Sequence, residues 1–192
     1  MTAEAPARAM WVPDPMRQRL ADYTVEDILL LPDDAPRCEL TDGVITTVPQ
    51  PTLGHQWIAA SLRQWLHEHL PTSACEPAVR LGVIMSHRDT LEPDVVLLRG
   101  PIRGDHHYFD PAQVLIAVEI VSPGTRRRDR LEKPAVYAAA GVPHFWRVET
   151  DPVHVHAYDL VEGRYERAGD SDEVLRLSAP FEIKLPIRDI TP

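Results

Sequence analysis

The sequence predicts an α/β or α+β domain, and three observations carry that expectation. Between Thr52 and Leu70 the apolar residues Ile58, Leu62, Trp65, Leu66 and Leu70 follow the period of an amphipathic helix. Val114–Val121 is an apolar run of strand length that reads as buried on both faces, and Asp94 opens a second such run ending at Leu98. The order is helix, several strands, helix, strand, which belongs to mixed α and β architectures.

Element by element, residues 1–19 carry Ala, Pro, Arg and Met without periodicity and read as a flexible N-terminal tail, leaving residues 20–192 as one domain. Thr24-Val25-Glu26-Asp27 is a capped helix start, with Ile28, Leu29 and Leu30 behind it and Pro32 as its stop. Arg37–Val48 reads as a hairpin around Asp42-Gly43. In the helix over 52–70, His55 falls near the apolar face, so it points inward close to the helix start. Strands are expected at Ala78–Met85, Asp94–Leu98 and Val114–Val121, then a helical stretch ending near Gly141. A strand at His144–Glu149 follows, then another at Val153–Leu160 after the Asp151-Pro152 turn. Arg164–Arg167 and Leu175–Leu185 give weaker signals.

A chain of 192 residues with 44% hydrophobic content can bury one sizeable core. It has no signal-peptide pattern and no apolar run of membrane-spanning length, which points to the cytoplasm and away from membranes. Cys38 and Cys75 form no metal-type pair and read as free thiols. The net charge of −9 weighs against indiscriminate nucleic-acid binding. Against it stands the run Arg126-Arg127-Arg128 with Arg130, beside Lys133, which can draw in a phosphate backbone or can be a solvated loop.

Three residues stand where solubility or packing would not put them. Asp94 opens an apolar strand behind Pro93. Glu119 is the one charge inside Val114–Val121, where an unpaired carboxylate would cost on the order of several kcal/mol, so it needs a metal, a base or a hydrogen-bond donor. Lys133 and Lys184 are the only lysines, the remaining basic residues being arginines. Two carboxylates and a lysine at strand ends suit phosphodiester hydrolysis: the acids hold a Mg²⁺-type cation, and the ammonium orients water or stabilises developing negative charge. Plainer readings exist. Asp94 can cap a turn, and Lys133 can pair with Asp129 at helical spacing on a wet face.

The strings Cys38-Glu39-Leu40-Thr41-Asp42-Gly43, Pro93-Asp94-Val95 and Val118-Glu119-Ile120-Val121-Ser122-Pro123-Gly124-Thr125 resemble those of the Uma-two family. So do Asp129, Lys133 and Tyr137, followed by Gly141-Val142-Pro143-His144-Phe145-Trp146. The resemblance spans about Tyr23 to Asp159. It implies membership of the restriction-endonuclease-like, PD-(D/E)xK superfamily, with a core of a central mixed β-sheet flanked by helices. It further implies a metal-dependent endonuclease acting on DNA, with Mg²⁺ or Mn²⁺ held by Asp94, Glu119 and the backbone carbonyl of Ile120, and with Lys133 assisting the attacking water. A homodimer is the assembly expected where two strands are to be cut. The rival readings are a non-catalytic nucleic-acid- or protein-binding member of the fold and a hydrolase of small phosphate esters.

In the superfamily's usual pattern the lysine stands two residues after the glutamate, a place Val121 occupies here. The Uma-two resemblance implies an amine from the following helix, at Lys133. Pro134 then predicts a helix that begins near it, with Lys133 at the cap, or a kink. Glu39 and His55 are secondary candidates, Glu39 as a further ligand or an arginine partner and His55 as a neighbour of a phosphate or a ligating carboxylate, although a satisfied semi-buried histidine is the reading favoured for it. His154 and His156 share a strand face, but no cysteine or carboxylate stands at a ligand spacing from them, which argues against zinc. His67 and His69 face different ways, and Tyr137, Phe145 and Trp146 read as core.

Overall fold

A computed structural model describes residues 11–32, 34–71, 74–100, 102, 106–122, 124 and 126–192. The chain forms α1 (Pro15–Leu20), α2 (Val25–Leu29), β1 (Cys38–Thr41), β2 (Val44–Thr47), α3 (Leu53–His69), β3 (Cys75–Val79), β4 (Gly82–Ser86), β5 (Asp89–Leu91) and β6 (Val95–Arg99). After these come β7 (Tyr108–Phe109), β8 (Val114–Ile120), α4 (Lys133–Ala139), β9 (His144–Thr150), β10 (Val153–Val161), β11 (Arg164–Ser171), β12 (Val174–Leu177) and β13 (Ile183–Pro186). The expected α+β class holds.

Six strands in the order β11-β10-β9-β8-β6-β3 make the main sheet, which is mixed because β8 and β9 run parallel while its other pairs are antiparallel. Alternation along the strands assigns its faces. Val95, Leu97, Ile116, Val118, Ile120, Trp146 and Val148 pack against Ile58, Leu62, Trp65 and Leu66 of α3. Val96, Leu98, Ala117 and Phe145 point the other way, toward Tyr137 of α4 and toward Val83, Met85 and Leu91 of a second sheet, ordered β2-β1-β5-β4-β7. Glu119 alternates with Ala117 and so faces α4 as well.

The hairpin over β1 and β2 turns at Asp42 and Gly43 with φ of 47° and 76°, the left-handed pair that a two-residue turn matching strand twist requires. A Cβ at Gly43 would meet the Ala21 carbonyl oxygen at 2.2 Å. α3 is capped by Thr52, whose hydroxyl accepts from the His55 N–H at 3.3 Å.

Several expectations change. The tail boundary at Arg19 moves toward the N-terminus, because Pro15–Leu20 is helical behind the Asp14 cap and Arg17 binds Asp27 through both guanidinium nitrogens at 2.8 and 2.5 Å. Residues 1–10 of that expected tail lie outside the described residues. The single strand expected over Ala78–Met85 is two, β3 and β4, in different sheets; Arg80, at φ 55°, makes the break. Arg164–Ser171 forms a full strand whose mixed exposure, as an edge of the sheet, hid it from apolar periodicity.

The helix around Lys133 also differs. It does not start at Pro134: helical backbone begins at Arg126, and 128–132 is a π-turn in which the Lys133 N–H donates to the Arg128 carbonyl five residues back. Proline has no N–H to give and its ring collides with the carbonyl four residues earlier; the wider π-turn relieves both conflicts at Pro134. Lys133 therefore sits within the helix rather than at its positive end.

Candidate active site at the strand ends

Asp94 stands just ahead of β6, whose first residue Val95 opposes Val118 of β8, so it lies at the strand end beside Glu119. The Asp94 backbone N–H donates to the Val118 carbonyl at 3.0 Å, and the Ile120 N–H returns a bond to Asp94 Oδ2 at 2.8 Å. Asp94 is thereby fixed by the adjacent strand rather than by its own turn. His55 reaches it from α3, with Nε2 3.1 Å from Oδ2. If Nε2–H donates there, Nδ1 is left bare, and it is buried with no hydrogen-bond partner among the described residues.

Glu119, only 1% exposed, is the centre of the arrangement. Its Oε2 accepts from Lys133 Nζ at 2.8 Å and its Oε1 from the Tyr137 hydroxyl at 2.6 Å. Lys133 and Tyr137 are one turn apart on α4, so a single helix face supplies both donors. The Lys133 ammonium also meets Glu39 Oε1 at 3.0 Å and Asp129 Oδ1 at 3.6 Å. Glu39 is aimed inward by alternation in β1, where Cys38 and Leu40 turn to the opposite core. Its Oε2 accepts from Arg128 at 2.9 Å, and its Oε1 from the Glu92 N–H at 3.1 Å.

Among the described residues, the carboxylates Glu39, Asp94, Glu119 and Asp129 thus face two fixed cations, Lys133 and Arg128, which is an excess of two negative charges when all four are ionised. Its electrostatic consequence is visible in the titrating groups. Burial drives the Glu119 carboxyl well above its ordinary range, more than Lys133 draws it down, and Asp94, Asp129 and Glu39 add to the rise. Burial works to lower the Lys133 ammonium, but the surrounding carboxylates outweigh it and hold the proton on above the usual lysine value. Such a cluster wants a proton or a cation.

A cavity of about 250 Å³ opens onto Asp94, Glu119, Ile120, Asp129 and Lys133. A larger groove of about 830 Å³ runs along α3 past Trp57, Arg63 and Arg80, and it shares His55 and Asp94 with the cavity. The carboxylates at their junction are oxygen donors, the kind that Mg²⁺ and Mn²⁺ take.

Asp94, Glu119, Ile120, Lys133, Glu39 and His55 are therefore brought together. The arginine run is divided. Arg128 is turned inward to Glu39, and Arg130 is held by Glu149 through bonds of 3.0 and 2.7 Å. Arg126 is exposed, and Arg127 is exposed beside Glu132 at 3.3 Å. Asp129 pairs with Lys133 in the interior, not on a wet face, because the main-sheet strand end and β1 cover that side of the helix. Tyr137 is more than core packing: its ring stacks on Phe145 while its hydroxyl serves Glu119. Its spacing from Lys133 carried that signal. Pro123 and Thr125, in the motif after Glu119, lie outside the described residues.

Tyr137→Phe removes one donor from a buried carboxylate without opening a cavity. Urea unfolding should show a loss of about 1–3 kcal/mol, the cost of leaving such a group short of a partner. An unchanged midpoint would mean that the hydroxyl contributes nothing to holding Glu119.

The sequence profile of the family Uma2, described as "Putative restriction endonuclease", matches residues 25–188. No curated protein sequence matches the chain. Among solved structures, a protein from Anabaena variabilis described as a "putative nuclease belonging to DUF820" aligns with a TM-score of 0.68 at 20% identity, over 87% of this chain and 96% of that one. At that identity the likeness is one of fold.

Proposed function

Since the chain belongs to the Uma2 family, whose profile spans residues 25–188, we propose that it is a metal-dependent endonuclease that hydrolyses DNA phosphodiester bonds in the cytoplasm. The observation that carries this reading is that Asp94 and Glu119 line one cavity, in a cluster whose carboxylates outnumber its fixed cations by two. Asp94, Glu119 and the Ile120 carbonyl would hold Mg²⁺ or Mn²⁺. When bound, the ion supplies a Lewis acid that activates water and offsets charge on the phosphoryl group.

The chain's own residues do the rest. His55 and the Ile120 N–H fix the Asp94 carboxylate, and Tyr137 and Lys133 fix that of Glu119, so neither needs to reorganise. Lys133 is held protonated by its neighbours, which makes it a donor to a water or a phosphoryl oxygen rather than a general base. The groove along α3 gives a backbone a path to Asp94. Arg63 and Arg80 line it, and Trp57, 54% exposed, offers a face for stacking.

The test is nicking of supercoiled plasmid with Mg²⁺ or Mn²⁺ against a chelator control. Metal-dependent nicking that vanishes in Asp94→Asn supports the reading, and nicking indifferent to both overturns it. A non-catalytic, nucleic-acid-binding domain has one observation in its favour: the Lys133 ammonium is turned to three carboxylates. DNA binding without nicking by the wild type would select that alternative.

For binding to phosphates, the division of the arginine run leaves Arg126 and Arg127 as the exposed pair. Replacing both with Ala should weaken DNA binding on every sequence and flatten the slope of log affinity against log salt by about 0.9 for each duplex phosphate they had neutralised. An unaltered slope would assign the backbone phosphates to other residues, with those of the α3 groove as the next candidates.

A further inference from the structure

A second cluster of ligating side chains lies outside that cavity, where β9, β10 and β11 run side by side. Val153, Val155 and Ala157 of β10 are buried in the core, so His154 and His156 share the opposite face. The register sets Asp170 of β11 beside His156, and Glu149 of β9 beside His154. Asp170 receives both rings: His154 Nε2 stands 2.7 Å from Oδ1 and His156 Nδ1 stands 2.6 Å from Oδ2. The imidazoles are stacked, with centroids 4.4 Å apart and planes 16° from parallel. One ligand atom from each of the three residues falls within 4.8 Å of the others.

A plain ion pair would need one histidine. Here two rings present different nitrogens to one carboxylate, and stacking of two imidazoles is unfavourable if both are protonated, whereas two neutral rings can each give a lone pair to one ion. The cluster opens on a shallow cavity of about 400 Å³ bordered by Arg147, Asp151 and Pro152, which leaves room for water on the outer side. Three positive groups stand near. Arg130 and Arg147, which border the cavity, are both met by Glu149, at 2.7 and 3.1 Å, and Arg167, 3.2 Å from Asp170 Oδ2, is 62% exposed. Two nitrogens and a carboxylate oxygen are a borderline donor set, suited to zinc and its first-row neighbours and poorly suited to Mg²⁺ or Ca²⁺, which take oxygen ligands.

We propose that His154, His156 and Asp170 form a binding site for a zinc-like divalent cation, joining β10 to the edge strand β11, with its remaining positions left to water. The sequence hides this site because the carboxylate arrives from a strand partner 14 residues away. Its ligand class differs from that of the carboxylate cavity, and Glu149, beside His154, also holds Arg130 of the segment that carries Lys133.

The test is isothermal titration of the 192-residue chain with ZnCl₂, together with ¹H–¹⁵N spectra of the imidazoles. Glu119→Gln serves to remove the carboxylate cavity as a competitor. Wild type and Glu119→Gln should each bind zinc at this site with the same affinity, and the resonances of His154 and His156 should shift. Asp170→Asn, and separately the double variant His154→Ala/His156→Ala, should lose at least about tenfold in affinity. The proposal is overturned if both variants, checked for native circular dichroism, bind zinc as the wild type does. It is equally overturned if the His154 and His156 resonances stay still at millimolar zinc in the wild type, a readout that does not depend on any variant folding.

Discussion

Lys133→Met should cost about 3–5 kcal/mol of stability near neutral pH, the usual penalty for removing one partner of a buried charge network. The substitution preserves much of the side chain's apolar bulk, so the loss is electrostatic. It leaves Glu119, Glu39 and Asp129 without the ammonium they share, and all three are buried. The pH dependence identifies the cause. In the folded chain the Glu119 carboxyl binds its proton more tightly than in the unfolded chain, because burial raises it. A group raised in this way contributes stability that is complete below its unfolded value, near 4.5, and is lost as pH rises through the folded value. Without Lys133 the folded value rises further, so the variant should be least impaired at acidic pH and most impaired above neutrality. Urea unfolding of metal-free protein at pH 5 and pH 7.5 measures this. Equal stability of variant and wild type at both would show that the carboxylates are not compensated by Lys133.

The second large effect separates function from fold. Glu119→Gln retains an acceptor for the Tyr137 hydroxyl and removes a charge whose burial is unfavourable, so unfolding in the absence of metal should change by no more than about 1 kcal/mol. What should disappear is the response to the ion. For the wild type, Mg²⁺ or Mn²⁺ at a hundred times its dissociation constant should add about 2.7 kcal/mol of stability. Neither Glu119→Gln nor Asp94→Asn should show that gain. Nicking by both should fall at least about a hundredfold, the scale associated with loss of one preorganised charge-stabilising group. If Glu119→Gln nicks DNA at the wild-type rate, Glu119 is a structural partner of Lys133 and the proposed reaction loses its centre. If instead the variant fails to fold, Asp94→Asn carries the test, because Asp94 is not among the carboxylates within salt-bridge distance of Lys133.

The sequence by itself determined the elements whose residues answer to a local rule. The apolar period of α3, the left-handed pair Asp42-Gly43 and the fully buried β8 are each dictated within a few residues. For the same reason Asp94 and Glu119 were legible, since a carboxylate at the mouth of one apolar strand and within another is anomalous wherever the strands lie. Tertiary structure decided what those anomalies meet. Only the pairing of β6 with β8 brings Asp94 beside the strand end that carries Glu119, and only the π-turn ahead of Pro134 places Lys133 among three carboxylates instead of at a helix cap. Arg128 and Arg130 looked like one basic surface with Arg126 and Arg127 until Glu39 and Glu149, distant in sequence, claimed them. Asp170 joined His154 and His156 in the same way, across a strand pair. Local patterns fix backbone conformation because steric and hydrophobic preferences act over one or two turns. The partner of a charge is set by pairing and packing between segments far apart in sequence, which a pattern of neighbours does not encode.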